Sequence, residues 1–229
     1  MRESFQRVEA ATRYRAWLLD LVRPWLGRRV LEVGCGVGNI TAHLLELERV
    51  VAIDVERPFV DELHRRIGHP PRLRVEVMDA CDEALLALRD EDLDCAVLLN
   101  VLEHIDDDIR ALENVGNVLR PGSTVVVQVP AHEVLYGASD RALGHRRRYG
   151  VAELGATLLA AGLDLEHLVE LNALGVPGWF VSGRILRRTM FSERHLAVFE
   201  ALVPILRALE PSTGVPFGLS ALAVGRTRR

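Results

Sequence analysis

The sequence predicts a doubly wound α/β fold, in which a parallel sheet is covered by helices on both faces. Three observations carry that prediction. Short, continuously apolar runs such as Val50-Val51-Ala52-Ile53 and Val125-Val126-Val127 alternate with stretches of helical spacing. A strand-to-helix junction carries three glycines at alternate positions, Gly34, Gly36 and Gly38. The strand that follows it ends on a carboxylate, Asp54.

Taken in order, Phe5, Val8, Tyr14, Trp17, Leu18, Leu21 and Val22 recur at helical spacing, a helical cap over residues 1–27 that Pro24 helps to end. Strands are expected near 28–33, 49–54, 73–78, 93–99 and 123–129, with helices near 39–47, 57–67, 82–88 and 106–119. Asp106, Asp107 and Asp108 resemble a metal site, but at a helix start three acids are more simply caps that complement the dipole. Leu119-Arg120-Pro121-Gly122 is a helix stop before the fifth strand. A helix near 151–161 and a strand near 164–171 continue the alternation, and residues 219–224 form the last of seven strands.

Between the last two strands lies an insertion, residues 172–217, too long to be a structureless loop. Leu196, Phe199, Leu202, Val203, Leu206 and Leu209 form one helical stripe, and Trp179, Phe180, Ile185 and Leu186 a second apolar group. Most of these are expected in the core, with a lid over an apolar acceptor or a homodimer surface as the alternatives.

Composition bounds the function. The 229 residues read as a single domain, with no internal repeat and no linker. Hydrophobic residues make up 49% of the chain, which argues against disorder. A net charge of −4 argues against nucleic acid as a partner, and no apolar run is long enough for stable membrane insertion. The charged start, Met1-Arg2-Glu3-Ser4, lacks the apolar stretch of a signal peptide. Cys35, Cys81 and Cys95 lack metal-ligand spacing and read as reduced thiols, so a cytoplasmic location and no metal are expected.

The glycine-rich turn predicts a cofactor. Glycine permits positive φ and removes the Cβ that would hold a ligand off the backbone, while the helix behind it offers free N–H groups. A dinucleotide fingerprint needs Gly-x-Gly-x-x-Gly, but Asn39 stands where the last glycine belongs. Glu32, just before the turn, would repel a pyrophosphate and suits a cationic ligand. Asp54 is placed to take both hydroxyls of a ribose. A ribose and a cationic amino-acid end without phosphate describe S-adenosylmethionine (SAM).

Glu32-Val33-Gly34-Cys35-Gly36-Val37-Gly38, Asp54, Met78-Asp79-Ala80 and Asn100-Val101-Leu102-Glu103-His104-Ile105 together resemble the class I SAM-dependent methyltransferases, over roughly residues 28–130. The resemblance implies a mostly parallel, seven-stranded Rossmann-like methyltransferase sheet whose final strand runs antiparallel. Its cofactor residues map to Glu32 at the methionine end and to Gly34, Cys35 and Gly36 in the turn. Asp54 falls at the ribose, Asp79 and Ala80 at the adenine, and Asn100 and Val101 along the methionine chain, with Val55 a further cofactor-binding residue. Glu103 and His104 are ambiguous: they begin a helical stretch, and no partner at ligand spacing makes His104 a metal ligand. Asp140…Gly144-His145-x-Arg147-Arg148-Tyr149 and Pro216-Phe217-Gly218-Leu219-Ser220 resemble a bacterial subgroup of the same enzymes, without fixing a substrate.

The loop from Pro130 to Gly150 leaves the ligand-binding edge of the sheet. His145 is its natural general base, with Tyr149 a second candidate, and Tyr136 and Asp140 weaker versions of the same idea. Arg146, Arg147 and Arg148 suit an acidic acceptor, or else pair with Asp140 and Glu153 to order the loop. The favoured function is methyl transfer to the oxygen or nitrogen of a small, apolar or acidic molecule. A methyltransferase acting on a macromolecule, or a non-methylating SAM- or nucleoside-binding protein, is the alternative.

Overall fold

In a computed structural model, which describes residues 11–189, 193–210 and 215–228, seven strands form one twisted sheet. They are β1 (Arg29–Val33), β2 (Arg49–Asp54), β3 (Leu73–Val77), β4 (Leu93–Leu99), β5 (Leu119–Pro130), β6 (Leu163–Leu171) and β7 (Ser220–Thr227). Their order across the sheet is β3-β2-β1-β4-β5-β7-β6. Strands β1 to β5 pair in parallel, and β7 alone is reversed, running antiparallel to both β5 and β6, as the resemblance implied. The chain leaves β1 toward one edge and returns at β4 to run toward the other. A crevice therefore opens at the carboxyl ends of β1 and β4.

Alternation along each strand divides the core into two layers. Leu31, Ile53, Leu98, Val125 and Val127 face one side, where Leu85, Leu112, Val115, Leu154 and Leu158 pack on them. These come from a 3-10 helix (Glu83–Glu91) and from helices α4 (Asp108–Val118) and α6 (Val151–Ala160). Val30, Val50, Val97, Val126 and Val224 face the other side, against Trp17, Leu18, Val22, Val203 and Leu206. That layer belongs to α1 (Thr12–Val22) and α8 (Glu193–Leu209), with α2 (Thr41–Leu44) and α3 (Arg57–Ile67) beside them. Burial of residues on both faces is why the central strands read as unbroken apolar runs.

The N-terminal cap and the insertion support each other. The Glu200 carboxylate of α8 accepts hydrogen bonds from the Arg13 and Tyr14 N–H groups, 2.7 and 3.0 Å away, satisfying donors at the start of α1. Phe5 and Val8 lie outside the described residues. Where α8 ends, buried Glu210 accepts from the Asn172 and Ala173 N–H groups, both at 2.6 Å, tying the insertion back to the end of β6.

Several elements differ from their expected extents. The helix expected over 39–47 is the single turn α2, because Glu48 N–H must reach the Arg28 carbonyl, 3.0 Å away, to start β2. The helix near 82–88 is the 3-10 segment, capped by the Asp82 carboxylate accepting from Ala84 N–H at 2.8 Å. Strand β5 begins at Leu119, and Gly122 takes a φ of +77° within it. Inside the 130–150 loop lies a further helix, α5 (Ala138–Leu143).

The insertion corrects the expectation that its apolar residues are mostly core. Val203 and Leu206 are buried and Phe199 partly so, but Leu202 and Leu209 are exposed. A short helix, α7 (Gly175–Trp179), continues as a π-turn (Phe180–Ile185), and Phe180, Val181, Ile185 and Leu186 are exposed as well. In α8 only the side of Val203 and Leu206 reaches the sheet layer, so Leu202 and Leu209 are left facing outward. Among the described residues, no helix is long and apolar enough to cross a membrane.

Candidate active site at the carboxyl edge of the sheet

Every residue expected to meet a cofactor sits at the carboxyl ends of β1 to β4. Gly34, Gly36 and Gly38 have φ values of +72°, +51° and +86°, and all three lie in the left-handed region that favours glycine. Their surroundings differ. A Cβ on Gly38 would come within 2.8–2.9 Å of Ile67 and Leu63, so this glycine lets α3 pack. A Cβ on Gly34 would strike Val101 at 2.5 Å, so it brings β1 and β4 together. Gly36 meets nothing within 4 Å, and its bare backbone faces open space. That is the glycine a ligand would approach.

The first three N–H groups of the turn are engaged within the protein. Gly34 and Cys35 N–H both donate to the Ile53 carbonyl, at 2.8 and 3.0 Å, and Gly36 N–H donates to Asp54 Oδ2 at 2.8 Å. The helix behind the turn, α2, is a single turn, Thr41–Leu44. What the turn supplies is shape, with charge added by Glu32 and Asp54. Asp54 is buried, its Oδ1 accepting from Glu56 N–H at 2.9 Å, so the carboxylate is aimed by two backbone donors. Glu32 is buried below it, and neither Glu32 Oε2 nor the Thr41 hydroxyl has a hydrogen-bond partner among the described residues. Burial pushes the Glu32 carboxyl up to about 8, with Thr41 moderating the shift and the Asp54 charge adding to it. Burial likewise pushes the Cys35 thiol up, which makes it inert packing.

The remaining cofactor candidates line the same edge. Val55 is exposed beyond Asp54. Asp79 is exposed, accepts from Cys81 N–H at 2.8 Å, and borders a depression shared with Cys81, Asp82, Glu83 and Arg110. Ala80 is buried behind it, its carbonyl accepting from the Asn114 amide at 3.0 Å. Asn100 takes a φ of +56°, with its N–H on the Gln128 carbonyl at 2.8 Å, and so ends β4 sharply beside Val101.

Beyond Val101 the structure assembles a cluster that linear spacing hid. Glu103 and His104 lie in a 3-10 turn (Leu102–His104), and the 130–150 loop folds back so that His145 meets both. His145 Nε2 lies 3.9 Å from Glu103 Oε1, and the two imidazole rings stand edge-on with centroids 5.0 Å apart. The Glu103 carboxyl is wholly buried, and neither oxygen has a hydrogen-bond partner among the described residues. Burial pushes it up to about 8. His104 therefore does have a neighbouring histidine, 41 positions along the chain, which corrects the reading that it lacked one.

His145 is braced from behind. Its Nδ1 faces Asp140 Oδ1 at 3.0 Å, and Asp140 in turn accepts from Arg148 Nε at 2.8 Å and from Gly137 N–H at 2.9 Å. Arg148 is buried, donates to the Ala131 carbonyl at 3.0 Å and stacks on Trp179 at 4.7 Å. Arg147 donates to the Asp106 carbonyl at 2.8 Å, while Arg146 donates to the His104 carbonyl at 2.8 Å and pairs with Asp106. Arg146 and Arg147 thus lock the loop to the 104–106 segment while Arg148 braces it from within, and the ordering reading replaces that of an acidic-acceptor clamp. Glu153 instead caps α6, accepting from Gly150 N–H at 3.1 Å.

Tyr149, expected as a second reactive group, is reassigned. It is wholly buried, and its hydroxyl donates to Asp108 Oδ2 at 2.7 Å, with the Leu102 carbonyl 3.2 Å away. Burial and the Asp108 charge raise its pKa, so its proton is not available to an acceptor. Asp107 does cap α4, accepting from Arg110 N–H at 3.1 Å, whereas Asp108 turns inward to hold Tyr149. Sequence reading missed Gln128 altogether. Its amide is buried in β5 with neither atom partnered among the described residues, and only a polar residue inside an apolar strand marks it.

A doubly wound sheet with a reversed seventh strand, an acidic residue before a glycine turn and a buried carboxylate at the end of the next strand define a candidate cofactor site. Comparison with known proteins shows what the chain is similar to. Residues 31–127 match the model of the methyltransferase domain family. A probable SAM-dependent methyltransferase of Mycolicibacterium smegmatis is 32% identical over 143 residues, covering 61% of this chain and 53% of that protein. The ubiquinone biosynthesis O-methyltransferase of Xylella fastidiosa is 27% identical over 180 residues, 72% of each chain. Among solved structures, a SAM-dependent methyltransferase from Thermotoga maritima superposes with a TM-score of 0.66 at 16% identity, over 100% of this chain and 96% of that one. The chain spans 36–54% of the length of the curated relatives it matches at 32–34% identity. Over residues 31–127 the chain thus matches the methyltransferase domain family, and it is similar to SAM-dependent methyltransferases, proteins whose cofactor is SAM.

Proposed function

We propose that the protein transfers the methyl group of SAM to an oxygen or nitrogen of a small molecule. In this reading Glu32 faces the ammonium of the methionine end, Gly36 gives it room and Asp54 holds the ribose hydroxyls. Asp79 meets the adenine amino group, and Asn100 and Val101 line the methionine chain. SAM supplies an electrophilic methyl on a sulfonium, so the protein has to align an acceptor with the S–CH3 bond and keep water away.

The observation that carries the acceptor side is the Glu103–His104–His145 cluster, polar chemistry that begins two positions after Val101, with Glu103 fully buried. Proton handling on the acceptor is assigned to that cluster. The half-exposed apolar insertion supports an apolar acceptor under a lid, and with the arginines engaged in the loop an acidic one loses its support.

Release of S-adenosylhomocysteine (SAH), measured with candidate small-molecule extracts, tests the proposal. Acceptor-dependent turnover is expected. Tight SAM binding with no turnover on any extract would favour a non-methylating role, and turnover only on protein or RNA fractions would favour a macromolecular acceptor. A His145→Ala variant that binds SAH normally and keeps full turnover removes His145 from the chemistry.

A further inference from the structure

We propose that Glu103, His104 and His145 form a site for a divalent transition metal of the zinc type, and that this ion holds an oxygen of the methyl acceptor. One candidate ligand atom from each residue lies within 4.8 Å of the others. Two imidazoles and a carboxylate are a donor set that Zn2+, Co2+ and Fe2+ accept, and three protein ligands leave a coordination position open for substrate. Ligands about 2.0–2.1 Å from a tetrahedral ion stand roughly 3.3–3.5 Å apart. The 3.9 Å between His145 Nε2 and Glu103 Oε1 therefore has to close by only about half an ångström.

Two further observations point to a ligand. Glu103 is fully buried with both oxygens unpartnered among the described residues, a condition that costs several kcal/mol unless something satisfies the group. The nearby Arg148 does not do so, because its Nε is directed to Asp140. Both imidazoles are also oriented from outside. His145 Nδ1 faces Asp140 Oδ1 at 3.0 Å and His104 Nδ1 faces the Gly144 carbonyl at 3.2 Å. Each contact fixes a tautomer that leaves Nε2 as the lone-pair nitrogen, the arrangement found behind metal-binding histidines. Glycine at 144, with φ +83°, lets the loop bring that carbonyl to His104.

The role in catalysis rests on the methyl-transfer reading. A hydroxyl bound to the ion loses its proton to water more readily. Its oxygen lone pair then forms the O–CH3 bond as the S–CH3 bond breaks, and that electron pair returns to sulfur to give neutral SAH. His145 then serves as a ligand, and no free base is needed.

The test uses the full chain without a polyhistidine tag, stripped with a chelator and titrated with Co2+ while visible d–d absorption is followed, then competed with Zn2+. One equivalent is expected to bind. Glu103→Gln, which keeps the side-chain volume, and His104→Gln should each weaken binding by roughly ten- to a hundredfold. SAH affinity measured without metal reports the fold of each variant. Should one variant lose SAH binding through misfolding, the other decides. Less than a tenth of an equivalent of Co2+ or Zn2+ on the wild-type chain, or unchanged binding in the folded variants, overturns the site. Metal binding without SAH binding would keep the site and sink the methyl-transfer reading; SAH binding without metal would do the reverse.

Discussion

Cofactor binding should release a proton, and Glu32 is its source. In the free protein this carboxyl is buried and titrates near 8, so at pH 7 it is about 90% protonated. The ammonium of SAM or SAH, brought against it, favours the ionised form, and the complex should release up to about 0.9 proton per site at pH 7. Affinity should then rise about tenfold per pH unit between pH 6 and 8 and level off above that. The assay is calorimetric titration with SAH at pH 7 in two buffers of different ionisation enthalpy, phosphate and Tris. The apparent enthalpies should differ by nearly the full difference between the buffers, and Glu32→Gln should abolish that difference. The free protein carries the opposite dependence. The unfolded carboxyl titrates at 4.5 and the folded one near 8, so the folded chain holds a proton that the unfolded chain gives up in that window. This contribution to stability is complete below pH 4.5 and is lost as pH rises through 8, at about 1.4 kcal/mol per unit. Equal enthalpies in both buffers for the wild type would show Glu32 already ionised in the free protein, and would refute the reasoning from burial.

Other perturbations separate cofactor binding from folding. Gly36→Ala should cost about 1 kcal/mol of backbone strain and, by filling the open side of the turn, weaken SAH binding. Gly38→Ala should instead lower the melting temperature, because its Cβ meets Leu63 and Ile67. If both variants changed affinity and melting alike, the distinction between the two glycines would fail. Tyr149→Phe should lose about 1–3 kcal/mol by leaving Asp108 without its buried donor, yet retain SAH binding. A drop in SAH affinity would return Tyr149 to the site. Glu91 is held down to about 2 by hydrogen bonds from Arg49 and then Arg74. Its contribution, full above pH 4.5 and lost as pH falls through 2, amounts to at most roughly 3 kcal/mol. Glu91→Gln should accordingly flatten the acid limb of a denaturant-stability curve, and an unchanged limb would remove the pair from the account.

The position of the proposed cofactor half of the site was legible because its determinants are local. Glu32 to Gly38 form one turn, and Asp54 lies one crossover away at the end of the adjacent strand, so sequence order and spatial order coincide. Strand β1 pairs in parallel with β2 at Leu31↔Val51 and with β4 at Leu31↔Ala96, which gathers the ends of all three strands at one edge. What the sequence could not carry was the use of each glycine. Gly34, Gly36 and Gly38 share a backbone conformation, and only tertiary neighbours (Val101, open space, Leu63) tell them apart. The N–H groups of Gly34, Cys35 and Gly36 are spent on Ile53 and Asp54 for the same reason: β2 lies close enough to take them.

The acceptor half was illegible because its residues come from two segments whose meeting is set by arginines. Taken alone, Glu103-His104 reads as the start of a helical stretch and His145-Arg146-Arg147-Arg148 as a basic loop. Arg146 and Arg147 bind the 104–106 backbone and Arg148 holds Asp140, so the basic run positions His145 beside Glu103 and does not grip a substrate. That arrangement makes a specific demand on the chain. Arg148→Lys keeps the charge but has no planar fork to serve both Asp140 and the Ala131 carbonyl, so His145 should lose its orientation. Turnover should fall while SAH affinity stays within about twofold, because none of these contacts reaches Glu32, Gly36 or Asp54. Equal loss of both would mean that the loop and the cofactor turn fold as one unit, and the division of the site into two halves would have to be abandoned.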